Sequence, residues 1–84
     1  MTQTIEERIS QVVAEVFGVP RGQVSDHSSP DLIPSWDSLS HINLILSLEA
    51  EFDVSLSPED AMEMLSVRLI RMILAERGVT DAKV

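Results

Sequence analysis

Apolar residues recur every three to four positions in separate stretches of the chain, and polar signals between them mark where helices begin and end. Ile5, Ile9, Val12, Val13, Val16 and Phe17 form the first stripe. Thr4-Ile5-Glu6-Glu7 fits a capping box in front of it, with Thr4 as N-cap and Glu7 reaching back. Gly18 stops this helix and Pro20 prevents its resumption, which predicts a helix over 5–17.

A second helix is predicted over 38–52. At about 100° per residue, Leu44, Ile45, Leu48 and Phe52 share a face and point to the core. The opposite face carries Leu39, Ile42, Leu46, Asn43, Ala50 and Glu49. A second apolar stripe needs a second surface to bury, so this face reads as a partner-docking seam. The competing reading is that the preceding loop folds over part of it. Asp53-Val54-Ser55-Leu56 is an extended link. Ser57 as N-cap, Pro58 at N1 and Asp60 at N3 then open a short helix over 58–64. Ser66 caps the last helix, 67–77, whose stripe is Val67, Leu69, Ile70, Ile73 and Leu74. Gly78 ends it, with Arg77 near the negative end of the helix dipole. The tail 80–84 is expected to fray.

Residues 18–36 have no period. Pro20, Pro30 and Pro34, with Ser25, Ser28, Ser29 and Ser35, make a long loop of the kind that is often functional. Val24, Leu32 and Ile33 are expected to pin it to the core, and Trp36 to anchor its end on the bundle. With no strands and no repeats, the expectation is an all-α fold: a small four-helix bundle, three helices long and the third short, with a long loop between the first two. The 84 residues allow one domain, 1–84.

Charge changes the picture. The net charge is −8, and no Lys or Arg occurs between Gly22 and Val67. That argues against nucleic acid, whose phosphates require cations. It leaves two readings of the acidic middle: a solvated surface, or a docking face for basic partners. There is no cysteine, so disulfides, thiolate nucleophiles and zinc–thiolate sites are excluded. With no signal-peptide core and no membrane-length apolar run, the expected location is the cytoplasm, and the expected state a monomer.

Asp37, Ser38 and His41 are the residue types of a hydrolase triad, but Asp37 and Ser38 are neighbours and nothing upstream resembles a nucleophile elbow. Catalysis is not expected. His41 falls near the core face and is expected to be partly buried and hydrogen-bonded; His27 has no assignable partner. Asp53 to Glu63 lacks the alternating acids and central Gly of a calcium loop, and no His pair has metal-binding spacing. Met62, Met64 and Met72 are expected to pack in the core or a groove.

The stretch from Ser38 onward carries more. Asp37-Ser38-Leu39, followed through Leu48-Glu49-Ala50-Glu51-Phe52 to Val67, resembles the acyl carrier protein family, which includes the peptidyl carriers. Phe17-Gly18-Val19 at the end of the first helix fits as well. The resemblance implies that Ser38 carries 4′-phosphopantetheine, transferred from coenzyme A by a Mg²⁺-dependent phosphopantetheinyl transferase. The arm would hold an acyl or aminoacyl thioester for separate enzymes: a loading ligase and downstream transferases or synthases. It further implies partner contacts at Asp37, Leu39, Ile42, Asn43, Leu46, Glu49, Ala50, Leu56 and Ala61, and an acyl-chain groove at Leu44, Leu48, Leu56, Ala61 and Met64. Fatty-acid carriers usually have acids just after the triplet, where this chain has Ser40 and Asn43, and a small residue before it, where this chain has Trp36. The implied member is therefore a specialised stand-alone carrier. An aminoacyl or peptidyl carrier and an unmodified interaction module capped by Ser38 are the alternatives.

Overall fold

A computed structural model describes residues 4–79 as an all-helical bundle. Its elements are α1 (Ile5–Phe17), α2 (Ser38–Phe52), α3 (Pro58–Glu63) and α4 (Val67–Glu76), with one 3₁₀ turn, Arg21–Gln23, inside the first loop. The predicted starts of all four helices hold. α3 and α4 each end one residue earlier than the pattern suggests, because Met64 and Arg77 leave helical geometry as C-caps. The expectation for the tail 80–84 lies outside the described residues.

α1 packs on α2 and α4, and α3 leans on α4. Ile9, Val13, Leu44, Leu48, Met64, Ile70 and Leu74 are the largest fully buried side chains. α1 begins with the expected Thr4–Glu7 capping box and ends at Gly18 in the left-handed region, φ 68°. α2 ends on a non-glycine residue there: Asp53, φ 53°, is its C-cap. The pattern predicted only an extended link at that point.

The first loop is stitched down rather than loose. Ile33 and Trp36 are buried and Val24 is half-buried, but Leu32 is 66% exposed, against expectation. The turn made when the Leu32 and Ile33 amides both donate to the Ser29 carbonyl accompanies this split, Ile33 buried and Leu32 outward. Further stitches join the loop to α4. The amides of Val67 and Arg68, in the first turn of α4, donate to the carbonyls of Ser28 and Asp26. Leu69 donates to the Ser66 hydroxyl at 3.1 Å, so the start of α4 is satisfied partly by the loop and partly by its own cap. Ser35 Oγ donates to the Phe17 carbonyl at 2.8 Å and closes the end of α1.

Three expectations about apolar side chains fail at the surface. Leu69 is 40% exposed, and Met62 and Met72 are 74% and 47% exposed, so of the three methionines only Met64 is core. α4 buries Val67, Ile70, Ile73 and Leu74, a stripe that needs no contribution from Leu69 or Met72. Arg77 also does more than complement a dipole. Its guanidinium makes a two-pronged pair with Asp60, Nε to Oδ2 at 2.9 Å and Nη2 to Oδ1 at 2.5 Å, tying the end of α4 to α3.

Candidate functional site

The site begins with the cap of α2. Asp37, not Ser38, is the N-cap: its backbone is extended and its carboxylate accepts the Ser40 amide at 2.9 Å. That hydrogen bond holds the Asp37 carboxyl below its ordinary range. Ser38 is therefore the first residue of the helix proper, and its side chain is exposed. An alcohol at N1 of a 15-residue helix stands at the partially positive end of that helix, where an attached anion is favoured.

Trp36 sets the position of this turn. It is 4% exposed and stacks on Phe17, ring centroids 4.8 Å apart. Its indole Nε1–H donates to His41 Nδ1 at 2.9 Å. His41 Nε2 lies 2.7 Å from the Ala61 carbonyl oxygen, which can only accept, so Nε2 carries the proton and Nδ1 is the acceptor. His41 is half-buried, as expected, and links the end of the first loop to α2 and α3. Both of its ring nitrogens are committed, so neither is free to serve Ser38 as a base. His27 is exposed on the loop.

The expected docking residues fall on one side. Leu39, Ile42 and Leu46 are 71%, 57% and 59% exposed, so the loop does not cover the seam. Asn43 and Ala50 are exposed with them. Glu49 is half-buried, and its carboxylate accepts the Leu56 amide at 2.8 Å, fastening the α2–α3 link. That use was not visible in the sequence pattern, because an i,i+7 contact across a helix end has no period.

The expected groove residues separate. Leu44, Leu48 and Met64 are fully buried core. Leu56 and Ala61 are half-buried and line a shallow cleft of about 240 Å³ between α2 and α3, whose other walls include Ile42, Ile45, Leu46 and Pro58.

Electrostatics sharpens the contrast between faces. Arg8 pairs with Glu51 at 2.9 Å and lies over the Phe52 ring; Arg71 reaches Glu6 at 2.7 Å and Asp26 at 2.6 Å. Arg77 holds Asp60. The Arg71 hydrogen bond lowers the Asp26 carboxyl, and the Arg77 hydrogen bond lowers Asp60. These arginines are spent on holding the bundle together. Asp31, Asp37, Glu59 and Glu63 remain exposed, and among the described residues no arginine ion pair engages them.

A family profile describing a phosphopantetheine attachment site matches residues 7–71, about three quarters of the chain. The match spans nearly all of α1, the loop, α2, α3 and the first half of α4, and so includes the whole arrangement around the start of α2. The chain belongs to this family. It is a carrier, to which 4′-phosphopantetheine is attached covalently. Among the described residues, no helix is long and apolar enough to cross a membrane.

Proposed function

We propose that Ser38 is the attachment residue and that the loaded protein carries acyl intermediates between separate enzymes without catalysis of its own. The observation that carries this reading is the exposed Ser38 hydroxyl at N1 of α2, inside the matched stretch. The residues present fit the group. The open end of α2 accepts a phosphodiester, and Asp37 is already balanced as its cap. When attached, the group supplies a thiol, which this cysteine-free chain lacks.

The absence of a free base at His41 supports a carrier over a hydrolase. The apolar cleft between α2 and α3 favours an acyl over an aminoacyl cargo, since its walls are mainly hydrocarbon. The seam Leu39, Ile42 and Leu46, with the exposed acids around it, would meet partners that present an apolar patch ringed by basic residues. Those partners are a phosphopantetheinyl transferase, a loading ligase and downstream transferases or synthases. The carrier works as a monomer in the cytoplasm.

Intact mass after incubation with coenzyme A, Mg²⁺ and a broad-specificity phosphopantetheinyl transferase tests the assignment. Wild type gains one phosphopantetheine and Ser38→Ala gains none. A gain in Ser38→Ala would refute the residue. No gain in wild type with several transferases would move the function to an unmodified interaction module. Loading the resulting thiol by ligases with fatty-acid and amino-acid substrates then separates the two cargo classes.

A further inference from the structure

Two clefts meet at His41. The α2–α3 cleft is described above. The other, about 420 Å³, is lined by Pro30, Trp36, Asp37, Ser38, His41 and Leu65. It lies between the end of the first loop, the first turn of α2 and the α3–α4 link. His41 belongs to both, and its hydrogen bond to the Ala61 carbonyl runs from α2 to α3 where they adjoin.

We propose that the Pro30–Trp36–Leu65 cleft is the resting site of the pantetheine arm, and that the His41–Ala61 hydrogen bond closes it off from the α2–α3 cleft. The proposal rests on Ser38 as the point of attachment. Ser38 is itself part of the lining, so an arm fixed there starts inside the site. Tethering places the arm at an effective concentration on the order of mM, so even an affinity that weak fills the cleft about half the time.

The chemistry of the walls suits this occupant. An arm bearing geminal methyls, methylenes and amides needs hydrocarbon walls with a few polar groups. Pro30, Trp36 and Leu65 supply the first, and the Asp37 carboxylate the second. The volume lies in the range of roughly 300–1,000 Å³ over which proteins bind small molecules. Leu65 is 48% exposed, leaving an apolar surface for the arm to cover. The back wall is already built. Trp36 is held by its stack on Phe17 and has donated its indole N–H to His41, so it offers ring carbon and little freedom to move. His41 is held from both sides, by Trp36 and by Ala61, and stands where the two clefts adjoin.

Isotope-filtered nuclear Overhauser spectra of labelled protein carrying an unlabelled arm test this. Intact mass is measured first on the same sample. The expected result is a set of contacts from the geminal methyls to Pro30 and Leu65, with a shift of the single indole N–H resonance between unmodified and modified protein. Leu65→Gln, a change at a half-exposed position, loses those contacts while the mass still shows one arm. His41→Ala gains contacts to Ile45 and Leu56. Modified wild type with no contacts, or with contacts to Leu46, Leu56 and Pro58 instead, overturns the cleft assignment and leaves Ser38 standing. Contacts in wild type to both clefts overturn the closure. No gain in mass overturns the attachment reading itself, and with it the proposal.

Discussion

Replacing Trp36 by Phe tests whether the start of α2 is held as the hydrogen bonds suggest. The change keeps an aromatic ring against Phe17, so most of the stacking contribution of about 0.5–1.5 kcal/mol survives. It removes the indole N–H donated to His41, with a net loss of about 1 kcal/mol. His41 is half-buried, so water can reach Nδ1 and the full penalty of a stranded acceptor does not apply. The phenyl ring lacks two carbons and the nitrogen of the indole, and the two carbons cost roughly 1–2 kcal/mol at about 0.8 kcal/mol per buried methylene. The sum is about 2–3 kcal/mol. A chain of 84 residues has a total stability of about 4–13 kcal/mol at roughly 0.05–0.15 kcal/mol per residue, so the variant folds but is weakened. Urea denaturation followed by far-ultraviolet circular dichroism is the assay, because the change removes the only tryptophan. The midpoint falls with an unchanged slope, and the melting temperature drops by roughly 10–20 °C. A double-mutant cycle with His41→Ala gives a coupling of about 1 kcal/mol. A loss below about 1 kcal/mol, or additivity within about 0.3 kcal/mol, would refute the claim that the Trp36–His41 bond holds this turn.

Other outcomes follow from the same structure. The Asp26 and Asp60 carboxyls are lowered by their arginine partners, so their contribution to stability is present in full above the ordinary carboxylate range and is lost as pH falls through their depressed values. Urea midpoints across the acid range show that decline, and Asp60→Asn flattens it. Asp53→Gly relieves a positive φ at the C-cap of α2 and raises stability by up to about 1 kcal/mol, measured by the same titration; a loss instead would mean that the aspartate side chain is needed there. Association with a phosphopantetheinyl transferase slows as salt rises, because exposed charges are screened beyond about 10 Å at 0.1 M. Glu59→Gln with Glu63→Gln weakens that salt dependence without changing the circular dichroism; a salt-independent rate would end the acidic-face argument.

Helix starts were legible because each rests on a local chemical signal: Thr4 and Glu7, Ser57 with Pro58, and Ser66 act within a few residues of themselves. The exposed Ser38 hydroxyl in the first turn of α2 was legible for the same reason, from Asp37 and Leu39 beside it. What escaped the pattern is long-range. The pairing of Arg77 with Asp60, and of Val67 and Arg68 with loop carbonyls, joins segments with no periodic relation. Leu32 and Leu69 were misplaced because an apolar residue beside a buried one can face either way, and a turn or the width of a stripe decides which. Trp36 was expected to anchor the loop, and it does. Its partnership with His41 needed coordinates, since five residues across a helix start correspond to no regular spacing.

The division of labour among the arginines has a consequence for redesign. Arg8, Arg71 and Arg77 are used up inside the bundle, whereas the exposed acids of α3 and the turn before α2 make no ion pair among the described residues. Under the docking role proposed for the exposed acids, the electrostatics of assembly and of encounter are written on different residues. Asp31 and Glu59 make no ion pair among the described residues, so they are positions at which this protein could be given a new address while its architecture stays the same.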